Sequence, residues 1–461
     1  MDGRWMTCET NELLTRVGPG TPMGEFLRRH WIPALLSREI AEPNGPPLRV
    51  RLLGEELIAF RDSLDRVGLL EAHCPHRQAS LYFGRNEEGG LRCAYHGWKF
   101  TTSGECLDIP AACGNEAFRA RVRAQAYPCT ERNGVVWTFM GATCDIEKPL
   151  PPLPDLEWNL APVGHSVLWR QLRRCNWLQC LEGDVDQFHQ AILHSRLDDS
   201  HDDQQYVTVP GKTSPAHSGG EMFRTMRRQK TPEIDTREMP YGLMYASRRT
   251  TDERRDYYRI RHFLFPFHTL VGGDIDAPEF VYNFKAWVPM DDTTTLVLES
   301  QFRPGRPWTE SEAAQLMELR NPFGFAPATS EPGGAWRSRA DQSNDYLRDL
   351  ELQRSTLYCG ILSNPLQDTA VQESMGPIVD RTREHLCAAD ANIVRLRRRL
   401  AEAALKLRDE GKLPVGAENR AAYHCRPLGL QLAKGADWVR ETEKRRNPEP
   451  CVWDEEGANA E

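Results

Sequence analysis

The stretch Cys74–Phe100, CPHRQASLYFGRNEEGGLRCAYHGWKF, decides how this chain is read. Cys74-Pro75-His76 and Cys93-Ala94-Tyr95-His96 set one thiol and one imidazole in each of two short turns, with strand-like runs beside them. Two thiolates and two neutral imidazoles are what a [2Fe–2S] cluster needs when one iron takes sulfur ligands and the other nitrogen. Zinc also accepts two Cys and two His, but zinc fingers pair like with like along the chain and put the second pair on a helix. Here each pair is mixed and runs on into Gly or a strand, which favours iron–sulfur. Four such residues at fixed spacing, from types that each supply 13 of 461 residues, recur by chance roughly 3 × 10⁻⁴ times per chain. Imidazole in place of thiolate leaves a less negative, more easily reduced cluster. It stores one electron and needs a second centre for substrate chemistry.

Outward from that stretch, LRVRLLGEELIAFRDS, VGLLEA and VVWTFMG alternate with a period near two and carry Asn133-Gly134 as a hairpin signal. These runs predict an all-β domain over 26–147, preceded by an N-terminal segment 1–25. Pro149, Pro151, Pro152 and Pro154 can neither continue a helix nor donate to a ladder, so 148–158 reads as a linker. Beyond it, SVLWRQLR is strand-like, and Trp177, Cys180 and Leu181 recur at helical spacing. Asp256–Gly272 and Phe280–Phe302 are β-type, and Arg383–Lys412 reads as one long helix with Leu386, Ile393, Leu396 and Leu400 apolar. A sheet followed by helices is an α+β pattern. The second domain is expected over 159–412, with a Pro- and Gly-rich excursion at about 304–344. A C-terminal extension, 413–461, is expected to end in an acidic tail.

The net charge is −8, and five acids (Glu449, Asp454, Glu455, Glu456 and Glu461) fall after the last basic residue, Arg446. A body so mildly acidic has no electrostatic pull toward nucleic acid, and no apolar run reaches the ~18 residues of a membrane span. The first residues, MDGRWMTCETNELL, lack a basic region followed by an apolar one, and the cysteine count is odd. Both predict a cytoplasmic protein with reduced thiols. No G-x-G-x-x-G stands between a strand and a helix, so NAD and flavin are not expected on this chain and electrons must come from outside.

A second constellation follows at Asp186-x2-His189-x4-His194. On a helix Asp186 and His189 stand about 60° apart, whereas His189 and His194 diverge by about 140°. Both histidines can reach one metal if the helix ends or bulges before His194. Alone, Asp-x2-His is an ordinary helical pair; beside a cluster motif it suggests two His and one carboxylate on one face of Fe(II), the third ligand coming from elsewhere in the chain.

Cys74–Phe100, the following GECLDIP (Gly104–Pro110), NWLQCLEGDVDQFHQAILH and LQDTAVQESMGPIVDRTREHL together resemble the alpha (oxygenase) subunits of Rieske non-haem iron aromatic ring-hydroxylating oxygenases, and their phthalate-dioxygenase-like branch in particular. The resemblance spans roughly residues 20–410. It implies a Rieske [2Fe–2S] domain followed by a helix-grip-like catalytic domain with an antiparallel sheet and helices. By that likeness the cluster ligands are Cys74, His76, Cys93 and His96, and the Fe(II) ligands are His189, His194 and Asp368. Glu373 and Asp380 are rival carboxylates. Asp186 is implied as a bridge from an iron-ligating histidine, across a subunit boundary, to His96. Asn176 matches an asparagine near the iron. Two departures stand out. Gln78 replaces the usual Gly after the Arg of the first turn and is strained if that position needs φ > 0. Glu182 stands where naphthalene-type enzymes carry Asn, so that branch's detail does not transfer.

The resemblance implies a separate reductase, with or without a ferredoxin, O₂, a small aromatic substrate, and homo-oligomeric rings of three, single or stacked. The same ligand set serves dihydroxylation, monohydroxylation and O- or N-demethylation. The rival from another class is an electron-transfer Rieske protein, and the more than 300 residues after the β domain count against it. Arginines interrupt the strands between His194 and Asp368: Arg248, Arg249, Arg259 and Arg261. Any one of them is ordinarily a solvated side chain. Alternation sets Arg259 and Arg261 on one face, where a bidentate pair with a substrate carboxylate is worth about 1.5–3 kcal/mol. His217, His262 and His268 are expected to be structural or exposed. Cys106, Cys113, Cys129 and Cys144 lack ligand spacing, and Cys175 and Cys180 read as packing thiols.

Overall fold

The computed structural model describes residues 6–112, 114–141, 150–197, 209, 225–226, 228–277 and 279–448. The acidic tail, Pro149, Cys113, Cys144 and His217 lie outside them.

The first half is built of three small antiparallel sheets. β1 (Trp31–Leu36) pairs with β10 (Val135–Phe139), which pairs with β9 (Cys129–Arg132). Asn133 and Gly134 both take positive φ between β9 and β10, the hairpin their sequence signals. β2 (Leu48–Leu52), β3 (Glu55–Arg61) and β4 (Val67–Glu71) form the second sheet. β5 (Arg85–Glu87), β6 (Gly90–Arg92), β7 (Lys99–Phe100) and β8 (Cys106–Asp108) form a meander that carries the stretch first quoted. Ile58, Phe60, Leu70, Leu81, Leu91, Trp98 and Phe100 pack into one core beneath its turns.

In the second half β11 (Ser166–Arg173) begins a sheet of order β11-β17-β16-β15-β14-β13-β12, made by β12 (Glu233–Met239), β13 (Gly242–Thr250), β14 (Arg255–Leu264), β15 (His268–Gly272), β16 (Tyr282–Pro289) and β17 (Thr295–Phe302). β18 (Leu428–Ala433) pairs with the first half of β14, so the chain after 412, expected as an extension, returns to the sheet. The register gives the sheet two unlike faces. Ala246↔Ile260 and Phe284↔Leu270 lie on the apolar one, and Trp137 and Trp158 from the first half pack there against His268 and Phe284. Tyr245↔Arg261 and Lys285↔Glu299 lie on the other, against the helices Trp177–Val185 and Asn364–Ser374.

One helix is shorter than expected. The helix expected over Arg383–Lys412 runs only over Ala391–Glu410 and ends at Gly411 with φ 67°. Leu386 precedes it and is exposed, and a 3₁₀ turn over Ala388–Asp390, in which Asp390 accepts from the Cys387 N–H, comes between. Within the excursion at 304–344, Glu310–Arg320 is a helix begun by a reciprocal Thr309–Glu312 cap.

Candidate metal centres

The two turns of the first motif share one shape. Gln78 N–H donates to the Cys74 carbonyl at 2.9 Å, and Gly97 N–H donates to the Cys93 carbonyl at 3.0 Å. The closing residue of each is left-handed, Gln78 at φ 60° and Gly97 at φ 75°. Gln78 is therefore strained, as its departure from Gly implied, by about 1 kcal/mol. Both thiols are buried and both imidazoles reach the surface. His76 stacks on Trp98 with ring centroids 4.4 Å apart and meets His96 edge-on at 4.6 Å. Burial pushes the Cys74 thiol up to about 11, with Cys93 beside it. A bound cation offsets that cost, since a coordinating thiol is deprotonated.

The second motif breaks its helix early. Trp177–Val185 is helical, Asp186 is extended, and a short 3₁₀ turn covers His189–Ala191. Asp186 builds that turn: Oδ1 accepts from Phe188 N–H at 2.9 Å and Oδ2 from His189 N–H at 3.1 Å. The break lets two histidines that a helix would aim apart face one place. His189 Nε2 lies 3.6 Å and His194 Nε2 3.3 Å from Oδ1 of Asp368, which the Asn364–Ser374 helix brings across from the other side. One ligand atom from each residue lies within 4.8 Å of the other two. A shared ion with bonds near ~2.1 Å needs about that spacing. Burial raises the Asp368 pKa, but His194 and His189 outweigh it and hold the carboxyl far below its usual range. The rivals are committed elsewhere. Glu373 accepts from Arg174 N–H at 2.7 Å and the Tyr346 hydroxyl at 2.5 Å, and exposed Asp380 caps Thr382.

A Rieske [2Fe-2S] domain family matches residues 30–124, and the LigXa C-terminal domain like family matches residues 144–454. The chain is 39% identical over 451 residues to the 3-chlorobenzoate-3,4-dioxygenase oxygenase subunit of Comamonas testosteroni, covering 94% of this chain and 97% of that one. It is 32% identical over 441 residues to the phthalate 4,5-dioxygenase oxygenase subunit of Pseudomonas putida, covering 94% of each. The chain belongs to the Rieske non-haem iron oxygenases, as an oxygenase subunit. The fold of this Rieske oxygenase is similar to that of NdmA from Pseudomonas putida CBB5, with TM-score 0.55 at 18% identity over 90% of this chain and 99% of that one. Its cofactors are a Rieske [2Fe–2S] cluster and a mononuclear iron. The mixed thiol and imidazole turns and the His, His, Asp cluster are donor sets suited to the two groups.

One expected residue of the oxygenase is elsewhere. Asn176 does not stand by the candidate iron ligands; it caps the far end of the Trp177–Val185 helix, about 15 Å from Asp186 by helical rise. Its carbonyl accepts from Leu178 N–H at 3.1 Å, and its amide donates to the carbonyls of Thr15 at 3.0 Å and Asp292 at 2.7 Å. A buried Asn that satisfies three backbone groups is fully used by the fold.

The four arginines separate in the folded oxygenase. Arg248 is on the sheet's other face, paired with Glu233 and, at 3.0 Å, with Asp256. Arg249 donates to the Gln229 carbonyl at 2.9 Å and to the Ser247 hydroxyl at 3.3 Å. Arg259 and Arg261 share one face, and both donate to Oε1 of Gln190, at 2.8 and 2.7 Å, the residue after His189. Arg261 also donates to the Asp184 carbonyl at 3.3 Å, and among the described residues no carboxylate pairs with it. The Asp184 carboxylate is taken by Lys285 at 2.7 Å. His262 and His268 are buried and structural; His262 accepts from the Tyr241 hydroxyl and donates to the Arg426 carbonyl. Gln190, Gln367 and Lys285 beside the candidate iron ligands were not singled out by any motif, since neutral amides and a lone Lys have no spacing to betray them.

Proposed function

We propose that Cys74, His76, Cys93 and His96 hold the cluster, that His189, His194 and Asp368 hold the iron, and that this pair of centres hydroxylates a small carboxylated aromatic. The convergence of three ligand atoms within 4.8 Å carries the reading. When bound, the cluster delivers electrons from a separate reductase, with or without a ferredoxin, and the iron activates O₂ beside the substrate. Asp186 accepts the Nδ1 proton of His189 at 2.8 Å, which fixes the ring's direction and strengthens Nε2 as a donor. The substrate carboxylate is received by Arg261 and Arg259. Both guanidinium groups are buried and donate to Oε1 of Gln190, and the planar fork of each suits a carboxylate; among the described residues Arg261 pairs with no carboxylate, and a buried charge without one is costly.

The working unit in this reading is a ring of three subunits, single or stacked, in which Asp186 of one meets His96 of the next. Exposed apolar side chains support it: Ile192 and Leu197 follow the His189 turn, and Tyr95 lies between the cluster ligands. A cytoplasmic location agrees with free thiols throughout the described cysteines. Among the described residues no helix is long and apolar enough to cross a membrane.

Oxygen uptake with a generic reductase and a panel of aromatic acids and aromatic ethers tests the function, and ¹⁸O₂ labelling of products separates hydroxylation from demethylation. Uptake on the ethers alone would overturn the carboxylated substrate. Iron analysis tests the centres: about three Fe per chain are expected, falling to about two in Asp368→Ala. About three in both sinks the ligand assignment.

A further inference from the structure

We infer that Gln367 fixes the tautomer and direction of His194, a positioning role that rests on reading His194 as an iron ligand. Gln367 is buried, and both ends of its amide are engaged. Nε2–H donates to the Ile361 carbonyl at 2.7 Å, which leaves Oε1 to face His194 Nδ1 at 2.7 Å. A carbonyl oxygen only accepts, so Nδ1 carries the proton and Nε2 keeps the lone pair. Nε2 is the atom 3.3 Å from Asp368. Flipping the amide would set its oxygen against the Ile361 oxygen and its NH₂ against His194, so the direction is not free. Asp368 follows Gln367 on the same helix. One turn of that helix thus supplies one ligand and aims another.

The two imidazoles are held differently. His189 leans on the Asp186 carboxylate, at the more exposed side, while His194 leans on a neutral amide in the interior. A neutral partner orients His194 without adding a second buried negative charge beside Asp368, which would be costly.

The test uses the full-length protein with its cluster in place, comparing Gln367→Met, Gln367→Glu and wild type. Iron retained against a graded chelator and the visible spectrum of Co(II) in the mononuclear site are the readouts, and cluster absorbance reports folding. Gln367→Met removes the acceptor and should weaken retention by about 10–100-fold. Gln367→Glu keeps an acceptor for Nδ1–H while losing the donor to Ile361 and adding a buried charge, and should retain metal several-fold better than Gln367→Met, with a Co(II) spectrum closer to wild type. Wild-type retention in Gln367→Met overturns the inference. So does equal loss in both variants, because the amide then serves only the Ile361 carbonyl. Failure of the underlying reading looks different: His194→Ala would then retain chelatable iron like wild type.

Discussion

Oδ2 of Asp186 lies 2.8 Å from Nδ1 of His189, three residues on, at the point where the chain has just left its helix. The same carboxylate accepts from the backbone N–H groups of Phe188 and His189. It therefore shapes the turn and aims the ring together. Burial raises its pKa, but these hydrogen bonds and the His189 ring outweigh that and keep it ionised.

Asp186→Asn retains the size and one carbonyl acceptor while removing the charge. The variant is expected to keep both cluster absorbance and mononuclear iron, yet form product about 100-fold more slowly. Normal product formation would remove Asp186 from the electron path.

Arg261 separates a binding role from a structural one. Arg261→Leu should lower kcat/KM for an aromatic carboxylate by about 10–100-fold, the loss of a charge-assisted pair. The corresponding uncharged amide should be turned over at the wild-type rate. Equal losses on acid and amide would show that Arg261 supports the Gln190 turn and binds no substrate.

Glu182 ties three distant segments together. Its carboxylate accepts from buried Arg381 at 3.0 Å and buried Arg397 at 2.6 Å, and Arg397 also pairs with Glu384. Glu182→Gln leaves buried Arg381 without this carboxylate and Arg397 with Glu384, and should cost about 3–5 kcal/mol of stability, seen as a lower thermal midpoint. A midpoint within a degree of wild type would contradict the network's weight.

Acid should destabilise the protein through its buried histidines. Burial holds His30 down to about 4 and His262 and His268 down to about 3, against about 6.5 for an exposed ring. Between those values the unfolded chain binds more protons, so the stability these groups contribute is whole above pH 6.5 and is lost as pH falls. From pH 6.5 to 5 each costs about 2 kcal/mol. Thermal midpoints at the two pH values check it, and the drop should shrink in His268→Phe. An unchanged midpoint would mean that these rings are hydrated in solution.

The cluster turns and the two candidate iron histidines were legible in the chain because metal chemistry admits few residue types, and Cys and His at short spacing leave a pattern that no packing rule produces. Asp368, far along the chain, came only from the likeness to the family. The strands were legible for a similar reason: alternation with a period of two repeats locally, and SVLWRQLR is strand β11 from end to end. Asn176 misled because its neighbourhood in the chain is the catalytic helix, whereas its partners are Thr15 and Asp292. Gln367 was passed over because its partner His194 lies 173 residues away, and Glu182, noted only as a departure, did not show its arginine network because those arginines lie 199 and 215 away.

Local chemistry, then, is written in the order of residues: which side chains can bind iron, where the helix must break, and which strand faces alternate. Direction and company are not. Whether His194 turns Nε2 toward Asp368, which of four arginines meet Gln190, and which acid faces the two histidines all depend on groups brought together from far along the chain. Such contacts arise only when the sheet's apolar face is buried and its polar face is closed by two helices, a result of the whole core that no short window of residues contains.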